Sequence, residues 1–60
     1  MEKEILEYAN QWFKLHGIPT FIDDGSMYVQ VSDGFELQLS TSEISYRAQL
    51  FLESEKQKTL

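Results

Sequence analysis

Cysteine is absent from this 60-residue chain, proline occurs once, and glycine occurs three times. No disulfide and no thiolate-bound metal can therefore reinforce the fold, and no Gly/Pro-rich stretch marks a linker. Long apolar runs are missing too: the longest span two or three residues, as in Leu50-Phe51-Leu52, against the roughly 20 that cross a bilayer. Met1-Glu2-Lys3-Glu4 and Glu7 supply neither a basic n-region nor an apolar h-region, so no signal peptide is expected. No membrane association is expected either, and the cytoplasm is the expected location.

Positive charge is scarce, with five basic residues against ten acidic ones and a net charge of −5. That balance repels phosphate and anionic lipid, which argues against direct nucleic-acid binding and favours a partner with a basic surface. What is present favours folding: 42% of residues are apolar and 13% aromatic, too many for a disordered chain of this charge. Sixty residues allow one domain, 1–60, and a chain this short buries only about 60% of its unfolded surface. Without disulfide or metal, association with another chain is the remaining reinforcement.

The periodicity divides the chain into five elements. Between residues 2 and 16, Ile5, Ala9, Trp12, Phe13 and His16 recur at helical spacing, with Leu6 on one flank and Tyr8 and Leu15 on the other. Together they predict an amphipathic helix whose apolar arc, about 180° wide, exceeds the ~100° that a single contact needs. The helix should touch two surfaces. Gly17, Ile18 and Pro19 signal its end: a left-handed C′ glycine, an apolar C″ residue to meet Phe13, and a residue that cannot continue the helix.

From Thr20 to Leu39 the period falls to two, punctuated by Asp24-Gly25 and Asp33-Gly34, which predicts strands at 20–23, 26–31 and 35–39. A two-residue turn at Asp24-Gly25 pairs Ile22 with Met27 and Thr20 with Val29. A three-residue loop, Ser32-Asp33-Gly34, then pairs Val31 with Phe35, Val29 with Leu37 and Met27 with Leu39, so that all the apolar residues share one face. Phe21 and Tyr28 meet on the other.

Ser40 as N-cap and Glu43 at N3 form a capping box, with Leu39 and Ile44 as its hydrophobic staple. A helix over 41–56 follows, with Ile44, Ala48, Phe51 and Leu52 on its core stripe, a Glu43–Arg47 surface pair, and a frayed tail at 57–60. The predicted fold is α+β in the order α-β-β-β-α: a three-stranded antiparallel β-meander with two helices on one face.

Catalytic constellations are not visible. His16 is the only histidine and falls at a helix C-cap, where an imidazole suits the helix dipole. The one adjacent carboxylate pair, Asp23-Asp24, belongs to a turn, where aspartate is favoured for its local hydrogen bonds. The glycines are spaced too widely to cradle phosphate, and no EF-hand or His/Cys pattern occurs. So small a fold leaves little volume for a ligand pocket of ~300 Å³ or more. No enzyme activity, cofactor or metal is expected.

Two apolar groups fall outside the predicted core. Phe21 and Tyr28 lie on the uncovered sheet face, and Tyr46 with Leu50 lies opposite the second helix's stripe. With Tyr8 and Leu15 they are the expected interface residues, Tyr46, Leu50, Tyr8 and Leu15 first and the open sheet face second. The expected function is a homodimeric protein-binding module that inhibits a larger host protein. A DNA mimic facing a basic nucleic-acid-binding protein and an accessory subunit of a bacterial complex are the alternatives. Short acidic α+β chains are similar in size and charge to small phage-encoded inhibitors of host proteins, and no motif carries the likeness further.

Overall fold

The computed structural model describes residues 1–58 and shows the α+β order α1 (Lys3–Leu15), β1 (Thr20–Asp23), β2 (Ser26–Ser32), β3 (Phe35–Gln38) and α2 (Thr41–Lys58). The strands form one antiparallel sheet in the order β1-β2-β3. Helix α2 is longer than the spacing predicts. It continues through Gln57 and Lys58, where a frayed tail was expected; Thr59 and Leu60 lie outside the described residues.

The predicted stop of α1 forms as a Schellman motif. The Ile18 amide donates to the Phe13 carbonyl at 2.9 Å and the Gly17 amide to that of Lys14 at 3.1 Å, with Gly17 left-handed at φ 72°. Thus α1 ends abruptly and the chain turns back at once into β1. Asp24 and Gly25 both take positive φ, 51° and 76°, as a two-residue hairpin turn matched to strand twist requires. The register follows: Thr20↔Val29, Phe21↔Tyr28, Ile22↔Met27.

The second hairpin differs in detail. Val29 faces Leu37 as expected, but Ser32 pairs with Phe35 and the register shifts between Gln30 and Ser32. Val31 is therefore the extra residue of a bulge inside β2, whereas the apolar alternation predicts Val31 opposite Phe35 with the extra residue in the loop. Downstream, the Glu43 amide donates to Ser40 Oγ at 3.2 Å. Only half of the capping box forms, because the Glu43 carboxylate turns along the helix and binds Arg47 at 3.0 Å.

Leu6, Ala9 and Phe13 of α1, Met27 of β2, and Ile44 and Ala48 of α2 form the buried cluster, with Ile5, Tyr8, Trp12, Ile18 and Leu39 packed around it. Leu6 stands at the centre of the helix face, not on its flank, and His16 is exposed. Similarly, Leu52 is exposed while Ile44, Ala48 and Phe51 are buried, which removes Leu52 from the predicted core stripe. The wide arc of α1 is explained within one chain, since α1 packs against α2 on one side and against β1 and β2 on the other.

Both helices lie toward the Met27 side of the sheet, but they cover only part of it. The molecule is 42 Å long. Helix α2, with 18 residues, is about 27 Å, and β2, with 7 residues, is about 23 Å. Neither element alone accounts for that length, and the exposure of Val31, Phe35 and Leu37 beside a fully buried Met27 shows that the helices and the sheet overlap only in part, a stagger between the two layers. The radius of gyration, 11.8 Å, exceeds the roughly 10.4 Å of a typical chain of this length.

Candidate interaction surface

The stagger creates an inner sheet face with two different halves. Met27 is fully buried under the helices, and Val29 beside it is half-buried. Toward the second hairpin the face is open, with Val31 58% and Phe35 69% exposed, and on the flanking strands Leu37, opposite Val29, is 60% exposed and Ile22, opposite Met27, 38%. These residues fall on the Met27 side as predicted, but their exposure takes them out of the core that alternation alone predicts. Strand periodicity reports which residues share a face. It does not report how far along that face the helices reach.

The outer face is amphipathic. Phe21 and Tyr28 are stacked with ring centroids 5.4 Å apart, both half-buried, so the expected cross-strand pair is present. Around it lie Gln30, Glu36 and Gln38, on the outward side of their strands by alternation, and Gln38 Nε2 donates to Ser26 Oγ at 3.4 Å. No lysine or arginine occurs between Lys14 and Arg47, whereas Asp23, Asp24, Asp33 and Glu36 all fall in the strand region. Every lysine and arginine is therefore on a helix, and the charged side chains of the sheet are all acidic.

The helical residues expected at an interface do not form one patch. Tyr8 stacks on Phe51 within the chain at 5.9 Å and packs against the core. Leu50 is half-buried. Leu15, 64% exposed, lines an open groove of about 340 Å³ with Gln11, Lys14, Phe51, Glu55 and Lys58. That groove is larger than the chain length suggests, but it is a surface channel between the ends of the helices.

Tyr46 is 54% exposed and stands beside Arg47, whose guanidinium lies 5.3 Å from its ring centroid. The same guanidinium sits 4.4 Å over Trp12 and 5.6 Å from Phe13. Arg47 therefore ties α2 to α1, anchored through Glu43, in an arrangement whose desolvated side strengthens the cation–π attraction. On the same aromatic stack, His16 lies against Trp12 at 3.8 Å and its Nδ1 donates to the Trp12 carbonyl at 2.9 Å. The only histidine is thereby held to the end of its own helix.

Among the described residues, no three His, Asp or Glu side chains are grouped to hold a metal ion, and no helix is long and apolar enough to cross a membrane. The surface features that stand out are thus both on the sheet, one apolar and one acidic with an aromatic centre. Comparison with protein-family models, curated proteins and solved structures gives no match to this chain.

Proposed function

We propose that this chain is a non-catalytic binding module that engages a protein with a basic surface through the outer face of its sheet. It acts by covering that surface, as an inhibitor or antagonist of a host protein does. The observation that supports this reading is the pairing of the Phe21–Tyr28 stack with a strand region whose charged residues, Asp23, Asp24, Asp33 and Glu36, are all acidic. An arginine or lysine of the partner can lie over an aromatic ring while the surrounding carboxylates hold its charge, an arrangement worth about 0.5–2 kcal/mol per cation according to its desolvation. Complementary potential also speeds encounter, which suits a molecule that must reach its target before a competitor.

A DNA-mimicking role has less support, because Lys3, Lys14, Lys56 and Lys58 lie among the carboxylates of the two helices and interrupt any long acidic array.

The test uses the isotope-labelled chain and a short arginine- and lysine-rich peptide as probe. Amide shifts confined to residues 20–38 at low salt, and largely lost at about 1 M salt where screening reaches ~3 Å, are expected. Replacing Glu36 with Lys should weaken the response several-fold. Shifts centred on the helices, or a response indifferent to salt, would contradict the reading.

A further inference from the structure

The inner sheet face poses a separate question, because it carries no charge at all. The register puts Thr20, Ile22, Met27, Val29, Leu37 and Phe35 on it, Val31 at the bulge and Leu39 after β3 extend the series, and the part around Val31, Phe35 and Leu37 is exposed. We infer that this open half is the contact surface of a symmetric homodimer, with the hairpin end of each chain seated on the inner face of the other.

Three observations select a second copy as the occupant. The first is charge. Two chains of net charge −5 repel one another over most approaches, yet the strand side chains of this face carry no carboxylate. The acidic turns, at Asp24 and Asp33, stay at its ends. A basic partner would find no carboxylate on this face to pair with, and its own cations would be buried unpaired.

The second is area. Val31, Phe35 and Leu37, at their observed exposures, present roughly 300–400 Å² of largely apolar surface, taking about 150–200 Å² for a bare apolar side chain. A stable interface buries about 800 Å² per partner, of which 56–65% is apolar. The open patch supplies most of that apolar share, with Ile22 and Val29 flanking it, and the polar remainder comes from the hairpin rim around Ser32, which pairs with Phe35.

The third is shape. The helices form a layer over one half of the face, and a helix is about 10–12 Å thick with its side chains. Two sheets packed face to face stand about 10 Å apart. A partner's hairpin laid on the open half therefore fills a step of matching height, and a twofold axis makes the exchange mutual. Closed in this way, Phe35 and Leu37 of each chain join a core that a 60-residue chain alone barely supplies.

Sedimentation equilibrium on the full chain, with the melting temperature followed against concentration, tests the inference. Wild type should sediment at twice 7.0 kDa at tens of micromolar and melt higher as it is concentrated. Phe35→Asp and Leu37→Asp should sediment as folded monomers with unchanged helical circular dichroism, because both side chains are exposed within one chain, and their melting should not depend on concentration. Leu50→Asp and Tyr46→Asp should leave the dimer intact.

A wild-type mass of 7.0 kDa with concentration-independent melting would overturn the inference. So would a dimer that survives both strand substitutions, or one that dissociates on Tyr46→Asp or Leu50→Asp alone. Because the measurement contains no basic probe, its failure would leave the outer-face reading standing, and the converse holds for the peptide titration.

Discussion

Truncating Phe13 to alanine is expected to lower the melting temperature by at least about 12 °C and to leave much of the chain unfolded at 25 °C. Phe13 is 5% exposed and belongs to the buried cluster that residues of α1, β2 and α2 share. Its ring meets the Trp12 edge at 5.3 Å and has the Arg47 guanidinium 5.6 Å away, while its carbonyl accepts the Ile18 amide that ends α1. Phe→Ala in a core costs about 3–5 kcal/mol. A domain of this size rarely holds more than that in total, and each kcal/mol moves the midpoint by about 4–8 °C. Thermal melting by circular dichroism measures the effect. A fall of only a few degrees would mean that the α1–α2 contact is not the centre of the fold.

The second large effect is at Met27, the one strand residue in the buried cluster and the point where the sheet is fastened to the helices. Met27→Ala should cost about 2–5 kcal/mol, since it leaves a cavity between layers that otherwise overlap over a short length. Met27→Leu conserves volume and should cost less than about 1.5 kcal/mol. The contrast matters more than either value alone. If both variants melt with wild type, the sheet is not held by this contact; if both collapse equally, the site does not discriminate by volume. For the alanine variant, raising the protein concentration should recover part of the loss, because the second chain packs on the same face.

The features legible in the sequence were those set within a few residues. Gly17-Ile18-Pro19 announced the end of α1, and the amides of Gly17 and Ile18 make the Schellman bonds. Asp24-Gly25 fixed the first hairpin and, through it, the register that puts Met27 inward. In the second hairpin the overall register was readable from the alternation, yet the bulge moved to Val31. Both arrangements place Val29 opposite Leu37, so the apolar pattern cannot choose between them.

Features that depend on distance along the fold were not legible. Strand alternation made Val31, Phe35 and Leu37 look like core residues, because the pattern that faces a helix and the pattern that faces a missing partner are identical. Leu52 was assigned inward and Leu50 outward, whereas Leu52 is exposed and Leu50 half-buried. Their positions lie about 160° apart, on nearly opposite sides of α2, and which side faces inward depends on how α2 crosses α1. The Arg47–Trp12 contact joins residues far apart in sequence, with no local signal beyond the Glu43–Arg47 spacing. The one-signed charge between Lys14 and Arg47 was readable throughout. It acquires meaning once the same stretch is seen to form the entire sheet.

Intermolecular contacts provide the most direct test of the uncovered inner face as the place where two chains meet. Isotope-filtered nuclear Overhauser measurements on an equimolar mixture of labelled and unlabelled chain report only proximities between different molecules. Cross-peaks are expected from the Ile22, Val31 and Leu37 methyl groups to the Phe35 ring of the other chain, with none from Tyr46 or Leu50. Intermolecular peaks arising from the helices, or none at concentrations where the sedimenting mass is doubled, would contradict the account.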